Sequence, residues 1–443
     1  MSRQNSRHDG IVEEPPPWYV MTDNGLKFRP GVLAAHLATT YHVIYAGEQY
    51  YLYQDGVYRP MSDAQAQARV QEKMIPTVTL MRQILDAENQ WRLLVLKDAN
   101  DMNADHDVIN LQNGLYRVSQ DQLHPHTPDY LSTIQLDLDY DPDAECPRFK
   151  SFLAEIMCED MEQVRLIQEM LGYCLIPGNS SQTCFVLVGA AAAGKSVLLR
   201  VIGEILLGKD NVSHVSWQDL NEKFRTAELV GKLANIFADL PTKNIDDNGI
   251  FKALMGEDDL TVERKYKHPF SFHNNAKLIF SCNGIPKNYG DRSNGFYRKL
   301  IIIRFQKSVP EERRDPNLLD KFREEADGIF QFALKGLQRL IANQYRFSVT
   351  QANRDELQRY REDNDSVLSF IRDRCALDAD KAVGSSEIYA AYKSYCDEEG
   401  MRPCGHSNFT QRVKLACSGV QQDHDSTGKR RILKGIYLSD GPR

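Results

Sequence analysis

The rhythm of apolar and polar positions changes several times along this 443-residue chain, and each change predicts an element. "GEQYYLYQDGVYRPM" (47–61) alternates aromatic and polar residues around Asp55-Gly56, which predicts a β-hairpin closed by a tight turn. Residues 62–99 read as mainly helical. "DVINLQNGLYRVSQDQLHPHTPDYLSTIQL" is a second β-like patch that turns at Asn113-Gly114. In "FKSFLAEIMCEDMEQVRLIQEMLGYCLIP" (149–177) the apolar residues recur at helical spacing until Pro177 stops them.

From Cys184 to Phe305 short apolar runs alternate with helical stretches, the pattern of a parallel sheet with crossover helices. Four strands are expected: Cys184–Val188, Leu233–Ala238, Lys277–Ser281 and Leu300–Phe305. Residues 316–345 are helical, and "VTQANRDELQRYREDNDS" is a polar bridge with no apolar face. Beyond it come helices and then a strand pair ending in "RILKGIYL", an order that suits a winged helix. The expected organisation is a lead-in (1–23), an α+β domain (24–178), an α/β domain with a parallel sheet (179–348), a linker (349–365) and a winged-helix-like domain (366–443).

Composition narrows the class. Hydrophobic residues make up 42% of the chain, yet no apolar run approaches the ~20 residues that span a bilayer, so no membrane partner is expected. "MSRQNSRHDGIVEEPPPW" lacks the apolar stretch of a secretory signal and reads as disordered. Nine cysteines without a C-x-x-C pair suit reduced thiols in a cytoplasmic protein and argue against structural zinc. The net charge of −7 excludes a surface coated with DNA-binding cations, but not lysines concentrated in one groove or channel.

Candidate chemistry begins at "CFVLVGAAAAGKSVLLRVIGEIL" (184–206). Gly189-x-x-x-x-Gly194-Lys195-Ser196 has phosphate-binding-loop spacing, with a strand before it and a helix after. Backbone N–H groups from Gly189, Ala190, Ala191, Ala192, Ala193, Gly194, Lys195, Ser196 and Val197 would cradle phosphates at the helix N-terminus. Lys195 would neutralise the β- and γ-phosphates of ATP, and Ser196 would ligate Mg²⁺. "GKLANIFADLP" ends a strand in Asp239, placed to join the metal shell or polarise water, and "AKLIFSCNGIP" ends another in Asn283, placed to hold the attacking water.

The series of loop, acid-ended strand, "FKALMGEDDLTVERKYKHPFSF", "KLIFSCNGIP" and "DRSNGFYRKLIIIRF" closely resembles the superfamily 3 helicases. Within them it is most similar to the helicase half of the phage and plasmid primase-helicases, the family that includes the poxvirus primase-helicase. "NLQNGLYRV…LIQEMLGYCLIP" looks like that family's pre-helicase domain, and residues 366–440 resemble its C-terminal winged helix. No primase module is evident. The resemblance implies an AAA+ fold, a homo-hexameric ring, ATP with Mg²⁺, and translocation on single-stranded or forked DNA. It matches Lys195 and Ser196 to the P-loop pair, Asp239 to the second-motif acid, Asn283 to the sensor and Arg298 to the arginine finger. Lys265, Tyr266 and Lys267 match a hairpin that projects into the channel. Two departures stand out: Ala191 and Ala193 replace the family's middle glycine and asparagine, and Asp239 stands without a second acid.

For DNA, Lys265 and Lys267 flank Tyr266, a combination of phosphate-seeking cations and a stacking ring that suits single strands. "GKRRILKGIYL" adds Lys429, Arg430 and Arg431, either a basic wing on duplex phosphates or a solvated surface. The leading expectation is an ATP-dependent DNA helicase replicating a phage, plasmid or other mobile element in a bacterial cytoplasm, with a separate primase, polymerase or initiator as partner. The alternative is a hydrolysis-weak nucleotide-binding initiator or DNA-binding scaffold. A small-molecule P-loop kinase fits less well, since such enzymes seldom carry a channel hairpin or a winged helix.

Overall fold

A computed structural model describes residues 14–439, apart from 223, 242, 246, 257, 266 and 289–292. Five parallel strands form the central sheet: β1 (Cys184–Gly189), β2 (Val212–Ser213), β3 (Ala234–Phe237), β4 (Lys277–Cys282) and β5 (Leu300–Phe305). Their order is β2-β3-β4-β1-β5, so β4 lies between the strand that enters the phosphate loop and the strand that leads to Asp239. Four of the five were legible as apolar runs. The two-residue edge strand β2 is too short to show any periodicity.

Near-continuous apolar strands are what a parallel sheet covered on both faces requires. On one face Phe185, Leu187, Ile279 and Ile303 share a buried cluster with the helices Pro147–Ile156, Met161–Tyr173 and Ala326–Ala342. On the other face Trp217 stacks between Phe251 and Phe280, with ring centroids at 4.5 and 5.1 Å. The single helical stretch expected over 149–177 is two helices. Cys158 and Glu159 turn left-handed (φ 55° and 62°), and the Asp160 carboxylate then caps the second helix by accepting from Glu162 and Gln163 N–H. An N-cap aspartate after "CE" was the missed signal.

The N-terminal domain is α+β. Its Asp55-Gly56 hairpin turn has both residues at positive φ (49° and 84°), as a two-residue turn of that handedness demands. The expected lead-in to residue 23 is too long: Trp18 and Tyr19 are buried, and Tyr19–Thr22 pairs with Gly25–Phe28. Two adjacent aromatic rings supply the apolar area that a disordered lead-in lacks. The rest of that lead-in, 1–13, lies outside the described residues.

The expected linker is also corrected. Gln351–Asn364 is a helix docked beside β5 and held by polar anchors instead of an apolar stripe. Asn353 donates to the Ile302 carbonyl at 2.9 Å, Tyr360 to Pro286 O at 3.0 Å, and Glu356 pairs with Arg304 at 2.6 Å. Periodicity does not register such anchors. The C-terminal domain has three helices, Ser366–Arg374, Ser385–Glu398 and His406–Ala416. A three-stranded antiparallel sheet completes it, ordered Cys375–Gly384, Arg431–Leu438, Gln421–His424. Its own core contains Phe370, Tyr392, Phe409 and Leu433. Among the described residues no helix is long and apolar enough to cross a membrane.

Candidate nucleotide site and nucleic-acid contacts

β1 ends at Gly189 (φ 157°), and the loop closes at Gly194 (φ 91°), which leads into the helix Lys195–Arg200 and its π-helical continuation Val201–Leu206. A side chain at either glycine would collide, with the Phe305 carbonyl at 189 and with Ile156 Cγ2 at 194. A third positive-φ position is Ala192 (φ 57°), which lies between the two departures at Ala191 and Ala193. Ala193 is instead buried, in the same apolar cluster as Phe152 and Ile156. The loop is pinned from outside: Ser308 Oγ donates to Ala191 O and Val309 N to Ala192 O, both at 2.8 Å. Left-handed alanine is disfavoured by roughly 1–2 kcal/mol, and glycine's extra chain entropy offsets about 0.5–1 of that. Ala192→Gly should therefore raise stability by about 0.5–1 kcal/mol, read as a higher urea midpoint at unchanged slope. A lower midpoint would mean that the alanine is not strained.

Lys195 is buried (7% exposed). Its Nζ donates to Gly189 O at 2.5 Å, Ala190 O at 2.7 Å and Asn283 Oδ1 at 3.3 Å. Burial pushes its pKa below the ordinary lysine value, while Cys282 and Asp239 nearby oppose the shift. Asp239 follows β3, and Leu240 N–H donates to Ser281 O at 2.8 Å, which fastens the Asp239 turn across β4. Lys195, Ser196, Asp239 and Asn283 thus line one cleft of about 470 Å³ at the C-terminal ends of the strands. That is within the ~300–1,000 Å³ typical of small-molecule sites and at the edge of an α/β sheet where ligands bind. Ser196 and Asp239 are both exposed to it, a hydroxyl and a carboxylate. Two hard oxygen donors beside a phosphate cradle fit Mg²⁺, which usually takes one or two carboxylates plus phosphate oxygens. Cys282, between Ser281 and Asn283, is no nucleophile: burial pushes its thiol up to about 12.

Arg313 and Arg314 line the same cleft and were not foreseen. In "PEERRDP" they look like any solvated charge run; the hydrogen bonds from Ser308 and Val309 bring their segment over the loop.

Arg298 lies elsewhere. β5 pairs with β1 from Leu300↔Cys184 to Phe305↔Gly189, so the start of β5 is at the end of the sheet opposite the phosphate loop. At about 3.3 Å per residue that is on the order of 15–20 Å away. Arg298 is exposed and does not line its own cleft. Asp291, the partner it would have in the alternative reading of an ion pair within one subunit, lies outside the described residues.

The hairpin of Leu260–Val262 and Phe270–Phe272 is docked on the N-terminal domain. Arg264 donates to Gly47 O at 2.8 Å. Lys265 is exposed. Lys267 is half-buried and pairs with Asp63 at 2.8 Å, so it is not the free cation expected; Tyr266 lies outside the described residues. In the C-terminal domain Lys429, Arg430 and Arg431 are exposed beside a groove of about 900 Å³, which Gln411 and Lys414 of the helix His406–Ala416 also line.

Comparisons with known proteins match three parts of the chain. Residues 36–158 match the model "D5 N terminal like", residues 362–429 "Poxvirus D5 protein-like", and residues 187–299 a family of unknown function (DUF5906). In the two D5-matched segments the chain is similar to the primase-helicases of phages and viruses. A putative helicase L207/L206 of Acanthamoeba polyphaga mimivirus is 27% identical over 210 residues, covering 45% of this chain. The chain spans only about a fifth (22%) of that relative's length. Among solved structures, the A form of the apo NrS-1 C-terminal region aligns with a TM-score of 0.52 at 12% identity, covering 92% of this chain and 99% of that one. A second apo structure of that region aligns at 0.50 and 11%, with the same coverage. At such identity the likeness is one of fold, and it extends over nearly the whole chain.

Proposed function

We propose that the chain is an ATP-driven DNA helicase, built on an AAA+ domain and working as a ring of identical subunits in the replication of a virus or mobile element. One observation carries the reading: Lys195 beyond the loop after β1, Asp239 after β3 and Asn283 after β4, three adjacent parallel strands, meet in one cleft, whereas Arg298 lies at the opposite end of the sheet. Lys195 neutralises the β- and γ-phosphates, Ser196 and Asp239 hold the magnesium, and Asn283 orients the attacking water. Bound magnesium supplies charge neutralisation at the phosphates. Arg298 serves a neighbouring subunit. The basic groove at Lys429–Arg431 takes duplex DNA, and the hairpin at Lys265 takes the single strand.

The test is ATP turnover by the purified protein with and without single-stranded DNA. Stimulation supports a translocase. DNA binding with ATP bound but not turned over would instead favour the initiator or scaffold reading, to which Ala193 lends some weight, since it removes a polar group from the loop. Lys265→Ala should weaken single-strand binding and flatten its salt dependence by about 0.7 in log–log slope, one lost phosphate contact. Lys267→Ala should leave that slope unchanged, because Asp63 already holds its ammonium. An unchanged slope for Lys265→Ala would place the strand elsewhere.

A further inference from the structure

Among the described residues, the Ser281 hydroxyl is a buried side-chain oxygen with no hydrogen-bond partner, and Ser281 lines the nucleotide cleft. Buried hydroxyls are almost always paired, so each exception needs a reason. Packing does not supply one, since an alanine would fill the strand position without burying an unpaired group.

Register shows where the hydroxyl faces. Along β4, Phe280 and Cys282 pack into the cluster around Trp217, whereas Ile279 packs on the other face with Leu198 and Ile202 of the phosphate-loop helix. Strand alternation puts Ser281 on that second face, with Asn283 two residues on, and Asn283 bonds Lys195. On the β1 side Ser281 is level with Leu187, just below the loop. On the β3 side pairing ends at Phe280↔Phe237, and the bond from Leu240 N to Ser281 O draws the Asp239 turn across it. The hydroxyl thus lies between the phosphate loop and the acid proposed to hold the metal.

We propose that Ser281 is a positioning residue of the nucleotide site, its hydroxyl placed to donate to the Asp239 carboxylate in the nucleotide-bound state. This rests on the nucleotide-site reading above. A donor to a metal-bound carboxylate fixes the oxygen presented to the metal, as outer-shell partners do elsewhere. Ser281 therefore acts on the magnesium-dependent part of nucleotide binding and not on folding.

Two measurements on the full chain test it: the melting temperature without ligand, and ATP affinity in magnesium against ATP affinity in EDTA. Ser281→Ala should melt at or above the parental temperature, because it removes an unpaired buried hydroxyl. It should bind ATP normally in EDTA, yet lose about tenfold of the gain that magnesium brings, the scale of one hydrogen bond to a charged group. Ser281→Thr, which keeps the hydroxyl, should restore that gain. A lower melting temperature for Ser281→Ala without ligand would show the hydroxyl already satisfied, for example by a structural water, and would overturn the proposal. So would an undiminished magnesium effect in Ser281→Ala. If the parental protein itself binds no ATP, the nucleotide-site reading fails first, so the two failures are distinguishable.

Discussion

Lys195→Ala should abolish ATP turnover, lowering it by at least about 10²-fold, the scale for removing one preorganised donor from a site of developing charge. The ammonium is the one cation inside the phosphate loop, and it is held by the loop's own carbonyls, Gly189 and Ala190, and by Asn283. Those contacts aim it at the cleft before nucleotide arrives. They also explain why its burial is tolerated, since an unpaired ammonium there would be far more costly. ATP approaching the cleft exchanges neutral carbonyls for phosphate oxygens, a stronger partner for the same charge. Arg313 and Arg314 reach the same cleft, but from the segment after β5 and not from inside the loop. The fold should survive, because what Lys195→Ala exposes is carbonyl groups at the cleft wall, where water can replace the lysine. Phosphate release, measured beside circular dichroism, checks both parts. Turnover at the parental rate in a folded variant would show that the site is wrongly assigned.

What was legible followed from how each feature is encoded. That the Gly189–Ser196 loop, Asp239 and Asn283 come together was readable because apolar runs mark strand ends well, and a parallel α/β sheet gathers those ends at one edge. Ala192 was not readable as the strained position, since four consecutive alanines carry no signal of which one turns left-handed. The docking of Gln351–Asn364 and the pairing of Lys267 with Asp63 were hidden for a different reason. The first rests on a few polar anchors and the second on one ion pair, between residues roughly 50 to 200 positions apart, where neither periodicity nor local motif reaches. Ser281 illustrates the same limit: "FSCN" reads as an ordinary strand end, and only the absence of a partner in three dimensions distinguishes its hydroxyl.

Arg298→Ala should bind ATP and barely hydrolyse it, losing about 10³-fold or more if its guanidinium stabilises charge on the transferring phosphoryl group. Geometry makes this a statement about two chains. β5 runs parallel to β1 and in register with it, so Arg298, two residues before Leu300, and the loop just after Gly189 are at opposite ends of one sheet. No rotamer of Arg298 closes that distance within a subunit, and any role at a nucleotide must be played at a neighbour's. Mixing decides it. A Lys195→Ala subunit has no working phosphate loop but an intact Arg298; an Arg298→Ala subunit has the reverse. Each variant alone should be nearly inactive. Mixed, they should regain turnover wherever an intact loop adjoins an intact arginine, with a maximum at intermediate ratios. Alternation in an even ring would make about half of the sites competent, and random assembly fewer, so recovery should be partial and should depend on the ratio. Flat inactivity across all ratios, with subunit exchange demonstrated by a fluorescent label, would leave Arg298 as a structural residue at the foot of β5. Partial, ratio-dependent recovery would mean that the catalytic site spans two subunits, and that the cleft in one chain is half of the working enzyme.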